Sequence, residues 1–248
     1  MPRYFLEVAY KGEGYSGFQV QQNAHTIQAE VEAAFLTVFR SPVQLTGSSR
    51  TDAGVHALQN FFHFDWEGVF DHNFLYNLNA LLPPAVVLRK VYAVADSAHC
   101  RFAALSRLYH YTVYQQKDPF LYDRGWYFPY RFDGALLQEL AGYVLGNTYF
   151  YSFSKRNTQV HTYDCCILES RWVQEHEYIW RYEVRANRFL RGMVRGLVGT
   201  MLRVARGNMS VATFRQLLEG QAVATVDFSA PGKGLVLQAV EYPATLLQ

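Results

Sequence analysis

The chain has 248 residues, half of them hydrophobic, and a formal net charge of +2. It is long enough to bury a core as one large domain or two ordinary ones, and it is too apolar for a disordered tail. No apolar run reaches the roughly eighteen residues of a membrane span, and the opening Met1-Pro2-Arg3-Tyr4-Phe5 reads as a strand rather than a signal peptide, so a cytoplasmic protein without a membrane partner is expected.

Residues Arg3 to Tyr10 alternate as a strand, and a Gly-rich turn, Lys11 to Gly17, follows. Ile27, Val31, Ala34, Phe35 and Val38 recur at helical spacing, with Thr26 as N-cap. Val43 to Thr46 and Asn60 to Trp66 read as strands, Asp71 to Leu81 as a helix stopped by Pro83-Pro84, and Val86 to Val94 as a strand. Leu108 to Gln115 is a strand rich in aromatic and β-branched residues. Asp133 caps a helix carrying Leu136, Leu137, Leu140, Val144 and Leu145, which Gly146 stops. Asp164 to Gln174 and Glu177 to Ala186 read as strands. A long helix is expected from about Asn187 to Ala205, a short one from Ser210 to Leu218, and a last strand from Gly234 to Tyr242.

Each half thus reads β-α-β-β-α-β, the ferredoxin-like order. The expected fold class is α+β: two such halves, 1–104 and 105–248, forming one extended, mainly antiparallel sheet with helices on one face and a cleft between the halves. Arginine far outnumbers lysine and concentrates in the second half, where its planar fork suits phosphate and base stacking. The 18 Tyr, 18 Phe and 4 Trp offer stacking surfaces, although most must form core. The three cysteines, Cys100 and the adjacent Cys165-Cys166, have neither a disulfide framework nor a metal-ligand spacing, so no metal is expected.

Chemistry points to Ser49-Arg50-Thr51-Asp52-Ala53-Gly54-Val55-His56-Ala57. Taken alone, Asp-Ala-Gly is a turn, and Arg50 is a surface arginine. A loop that presents a carboxylate and an arginine together is also where catalytic groups reside. On the Arg-rich helix, Arg188, Arg191, Arg195 and Arg206 fall on one side with Gly192 and Gly199. Mid-helix glycines there suggest close approach by another backbone or a ligand.

The stretch Arg50 to Ala57 resembles the signature of the TruA-type tRNA pseudouridine synthases. Four further stretches resemble that family in order: Tyr10-Lys11-Gly12 through Gln19-Val20-Gln21, Arg101-Phe102-Ala103-Ala104 into Tyr109-His110-Tyr111, Asn187 to Gly199, and Gly234 to Leu237. Gly47-Ser48-Ser49 and His161-Thr162-Tyr163 depart from the family pattern, and the second puts one RNA-backbone contact in doubt. The resemblance implies that Asp52 is the nucleophile, that Arg195 pairs with it, and that Arg50 flips or replaces the target base. It further implies that Tyr109 stacks on the uracil, and that its hydroxyl helps remove the C5 proton. Arg188, Arg191, Arg206, His56 and Gln19 are the expected RNA contacts, with His56 mainly shaping the loop. The implied reaction isomerises uridine to pseudouridine at positions 38, 39 and 40 of the tRNA anticodon stem-loop, without a cofactor, in a homodimer. The rivals are a non-catalytic RNA-binding protein, which needs no such carboxylate, and a nucleoside hydrolase, which would release free uracil.

Overall fold

A computed structural model describes residues 1–68, 70, 72–155 and 161–247, and they divide into two compact units. Met1–Leu105 with Val236–Gln248 form the first unit, and Ser106–Leu235 form the second. Nine strands and five α-helices occur among the described residues, an α+β composition. No described helix is long and apolar enough to cross a membrane.

In the first unit, β1 (Arg3–Tyr10) lies between β3 (His56–Asp65) and β4 (Val86–Val94), antiparallel to both. A central strand hides both faces, and Phe5, Leu6 and Val8 are accordingly fully buried. Helix α1 (Ile27–Phe39) starts where the Thr26 side chain accepts a hydrogen bond from the Ala29 N–H, as expected. Its Phe35 packs edge-on against Phe64 of β3 and Phe74 of α2 (Phe74–Leu81), joining helices and sheet in one aromatic core. The expected start of that second helix, Asp71, lies outside the described residues.

The strand expected over Val43–Thr46 shrinks to β2, Thr46–Gly47. Side chains of α1 claim the backbone just before it: Gln28 donates to the Leu45 carbonyl and Glu32 accepts from the Leu45 N–H, 2.8 and 3.2 Å. Those bonds satisfy groups that a strand would have paired. Conversely, β3 begins four residues earlier than expected, because His56 and Ala57 pair in parallel with Val236 and Leu237 of the last strand.

The second unit is built on β5 (Ser106–Tyr114), paired antiparallel with β8 (Ile179–Ala186), which pairs in turn with β7 (Ile167–His176). A two-residue β6 (Trp126–Tyr127), too short to show a period, runs parallel to the end of β5. Helix α3 (Gly134–Leu145) is capped by Asp133 and ends at Gly146, as the sequence predicts, and α5 (Val211–Leu218) follows Ser210, whose side chain caps it by accepting from the Thr213 N–H. The last strand, β9, spans Leu235–Glu241, and from Val236 on it belongs to the first unit.

The long helix is shorter than expected. α4 covers Met193–Ala205, and the preceding Gly192 has φ +73°, a left-handed conformation that cannot continue a helix. Upstream, the Asn187 side chain accepts from the Cys166 N–H and the Arg191 carbonyl accepts from the Lys155 N–H, so Asn187 and Arg191 spend these bonds outside the helix. Arg188 and Arg191 therefore sit on a loop rather than on a helix face shared with Arg195 and Arg206.

Candidate active site

In the first unit, the loop carrying Asp52 is fixed almost wholly by backbone and buried side chains. The Asp52 carbonyl accepts from the Val55 N–H at 3.2 Å, and Gly54 between them has φ +76°. This is the turn that Asp-Ala-Gly predicts, closed by the main chain. One residue earlier, the buried Thr51 hydroxyl lies 2.8 Å from the Tyr10 hydroxyl, and Asn60 ties Tyr10 to the Ser49 carbonyl. On the far side, Nδ1 of His56 accepts from the Gly12 N–H at 3.0 Å. That bond ties the first residue of β3 to the segment that follows β1.

These bonds lock the Tyr10–Gln21 segment against the Asp52 loop. A Cβ on Gly12 would stand 2.1 Å from the Val55 carbonyl oxygen, so only glycine lets the two backbones approach so closely. Phe18 N–H donates to the Thr51 carbonyl, and the Phe18 ring stacks on Phe62 of β3 at 4.6 Å. The result is a buried scaffold, with Asp52 half-buried at its edge and Arg50 and Gln19 exposed. A carboxylate so placed is held in position and remains reachable by solvent.

The second unit holds the remaining candidates. Tyr109 is buried on β5, with its ring edge-on to Phe189 at 5.1 Å. Two residues along the same face, Tyr111 is fully buried and donates its hydroxyl to the Pro231 carbonyl at 2.8 Å. Burial raises the Tyr111 phenol well above its ordinary pKa, against the nearby positive charge of Arg195. Tyr111 is thus a neutral structural ring. Arg195, half-buried in the first turn of α4, donates Nε to the Ala230 carbonyl at 2.6 Å.

Segment 226–231 gives α4 its position, and sequence reasoning missed it. A Cβ on Gly199 would meet the Asp227 carbonyl oxygen at 2.4 Å, and one on Gly196 would meet the Phe228 ring at 2.8 Å. Thr200 completes the packing, accepting from the Asp227 N–H at 3.0 Å. Gly199 therefore serves approach by this chain's own backbone, and Gly196 makes room for the Phe228 ring and the Val226 side chain. The small-residue face Gly196, Gly199, Thr200 was the available signal. Arg206 stands at the opposite end of α4 from Arg195, about 16 Å along the axis at 1.5 Å per residue. Its guanidinium lies over the Tyr130 ring at 3.8 Å. Arg191 is exposed and Arg188 half-buried on the loop before α4.

Comparison with known proteins identifies this architecture. The pattern of the family described as tRNA pseudouridine synthase matches residues 140–243. A tRNA pseudouridine synthase A of Parabacteroides distasonis is 41% identical over 248 residues, spanning 99% of this chain and 98% of that one. A namesake from Bacteroides fragilis is 40% identical with the same coverage, and one from Staphylococcus saprophyticus is 33% identical over 241 residues, 96% of this chain and 90% of that one. The chain is an enzyme of the isomerase class that modifies RNA. It belongs to the tRNA pseudouridine synthase family.

Proposed function

We propose that this chain converts uridine to pseudouridine at positions 38, 39 and 40 of the tRNA anticodon stem-loop, with Asp52 as nucleophile and no cofactor. The N1–C1′ bond breaks, the base turns while held, C5 bonds to C1′, and the C5 proton leaves as N1 gains one. Atoms and electrons balance without a co-reactant. A carboxylate beside the ribose supplies the nucleophile, the part played by one of the two carboxylates of retaining glycosidases. Arg195 is the cation that keeps it ionised as RNA covers the site, Arg50 occupies the space of the turned-out base, and Tyr109 stacks on the uracil. Arg188, Arg191, Arg206, Gln19 and the His56 loop contact RNA. The protein works as a cytoplasmic homodimer, each chain being two ferredoxin-like halves.

The observation that carries this reading is the Asp52 loop: a half-buried carboxylate on a turn that buried Tyr10–Thr51 and His56–Gly12 bonds hold rigid. A protein that merely bound RNA would have no use for a carboxylate held so. The test is the purified chain acting on tRNA labelled with tritium at uridine C5. Tritium release equal to pseudouridine formed, mapped to the three positions and without free uracil, is the expected result. Free uracil would favour a hydrolase, and modification elsewhere would remove the anticodon assignment.

A further inference from the structure

Side chains from two distant stretches meet in the first unit: His63 of β3, and the adjacent His99 and Cys100 of the turn after β4. One potential ligand atom from each lies within 4.8 Å of the others, and Nδ1 of His63 is 3.2 Å from the Cys100 sulfur. A tetrahedral ion with bonds of about 2.0 Å to nitrogen and 2.3 Å to sulfur holds its ligands roughly 3.3–3.6 Å apart, so the widest of these separations closes by about 1 Å as the ion binds, within the reach of side-chain rotation. Two imidazoles and a thiol without a carboxylate suit zinc and its neighbours, and exclude calcium and magnesium.

The surroundings hold the three donors in place. His63 sits inside the sheet, opposite Phe5 of β1 and Thr46 of β2. Cys100 is fully buried, and the Tyr242 hydroxyl donates to its carbonyl at 2.6 Å. The His99 ring stands edge-on to His63 at 4.4 Å and is part-exposed, which leaves a path for an ion from solvent. The nearby charge of Arg3 is answered by Asp65 at 2.7 Å.

We propose that His63, His99 and Cys100 form a structural site for a zinc-class divalent ion, which pins the turn carrying Arg101 and Phe102 to β3. The Cys100 thiol, which donates to the Thr46 carbonyl at 3.1 Å, loses its proton to solvent as the sulfur–metal bond forms. Both imidazoles bind neutral, no electrons move, and a water completes four-coordination. The ion takes no part in the isomerisation: His63 lies seven residues beyond His56, about 23 Å along the strand.

Titration of the chelator-treated full chain with Co²⁺ tests this. The expected result is one equivalent bound, with a thiolate-to-cobalt charge-transfer band and intense tetrahedral d–d bands, all displaced by Zn²⁺. Cys100→Ala abolishes the charge-transfer band, Cys166→Ser leaves it unchanged, and His99→Ala weakens binding by more than about tenfold. Zn²⁺ also raises the thermal midpoint of the wild type and not of His99→Ala. His99 is part-exposed, so that variant decides the matter even if Cys100→Ala fails to fold. A folded wild type without the band, a band surviving in Cys100→Ala, or undiminished binding by His99→Ala overturns the site.

Discussion

At the scale of single residues, Asp52 depends on the bonds of its neighbours as well as on its own turn bond to Val55. The carboxylate is placed by the Gly12–His56 bond, the Tyr10–Thr51 bond and the turn at Gly54. Gly12→Ala puts a methyl 2.1 Å from a buried carbonyl, and the backbone must move to admit it. We expect a loss of stability of about 1–3 kcal/mol, measured by denaturant melts. The reaction rate should fall further than the melt alone accounts for, since a displacement near 1 Å at a nucleophile costs on the order of 100-fold. A normal rate in a folded Gly12→Ala chain would show that loop position is not rate-determining. This loop was legible because its residues are contiguous and match a known signature. The His63–His99–Cys100 cluster was not, since β3 and a distant turn must first fold together before those side chains meet.

Secondary-structure elements show where periodicity stops being informative. Apolar spacing locates α1, α3 and α5, and the caps Thr26 and Asp133 are legible because a side-chain cap is a local bond. It overextends α4, since apolar Phe189 and Leu190 keep helical spacing while Gly192 turns left-handed and tertiary bonds hold Asn187 and Arg191. Gly199 reads rightly as a close-approach position, whereas Gly192 is needed for its left-handed φ before α4; the backbone approaching Gly199, 226–231, could not be read from the helix itself. Gly199→Ala is therefore expected to destabilise by about 1–3 kcal/mol, although alanine favours an isolated helix by roughly 1 kcal/mol. A stabilised variant by calorimetry would contradict the packing at Asp227.

Across β5, β8 and β7, His110, Glu183 and Arg171 stand opposite one another, and Glu183 also accepts from Arg181 at 2.8 Å. Burial alone would raise the Glu183 carboxyl. Hydrogen bonds from Arg171 and Arg181 outweigh it and hold the group below the ordinary carboxylate range. A depressed folded pKa means that the unfolded chain takes up the proton first. The stabilisation is thus complete above the unfolded value, about 4.3, and is lost as pH falls through the lower, folded value. Glu183→Gln should cost about 1–3 kcal/mol at neutral pH, with the difference from wild type narrowing below pH 4. A difference independent of pH would refute the pairing.

For the molecule as a whole, a net charge of only +2 gives little bulk attraction for tRNA, and the proposed function assigns binding to local arginines. The Arg188→Ala, Arg191→Ala double variant should weaken tRNA binding at every sequence tested. It should also lower the slope of log affinity against log salt by about 0.7–0.9 for each phosphate that an arginine no longer neutralises. An unchanged slope would place the phosphates elsewhere.

The central claim is chemical, and one comparison reaches it most directly: tritium release from C5-labelled tRNA in single turnover by wild type and by Asp52→Asn, with thermal midpoints matched. Asparagine keeps the shape and the main-chain turn at Val55 but cannot attack as an anion, so release should fall on the order of 10⁴-fold or more while tRNA is still bound. Release by the folded variant at a rate near wild type would contradict the account.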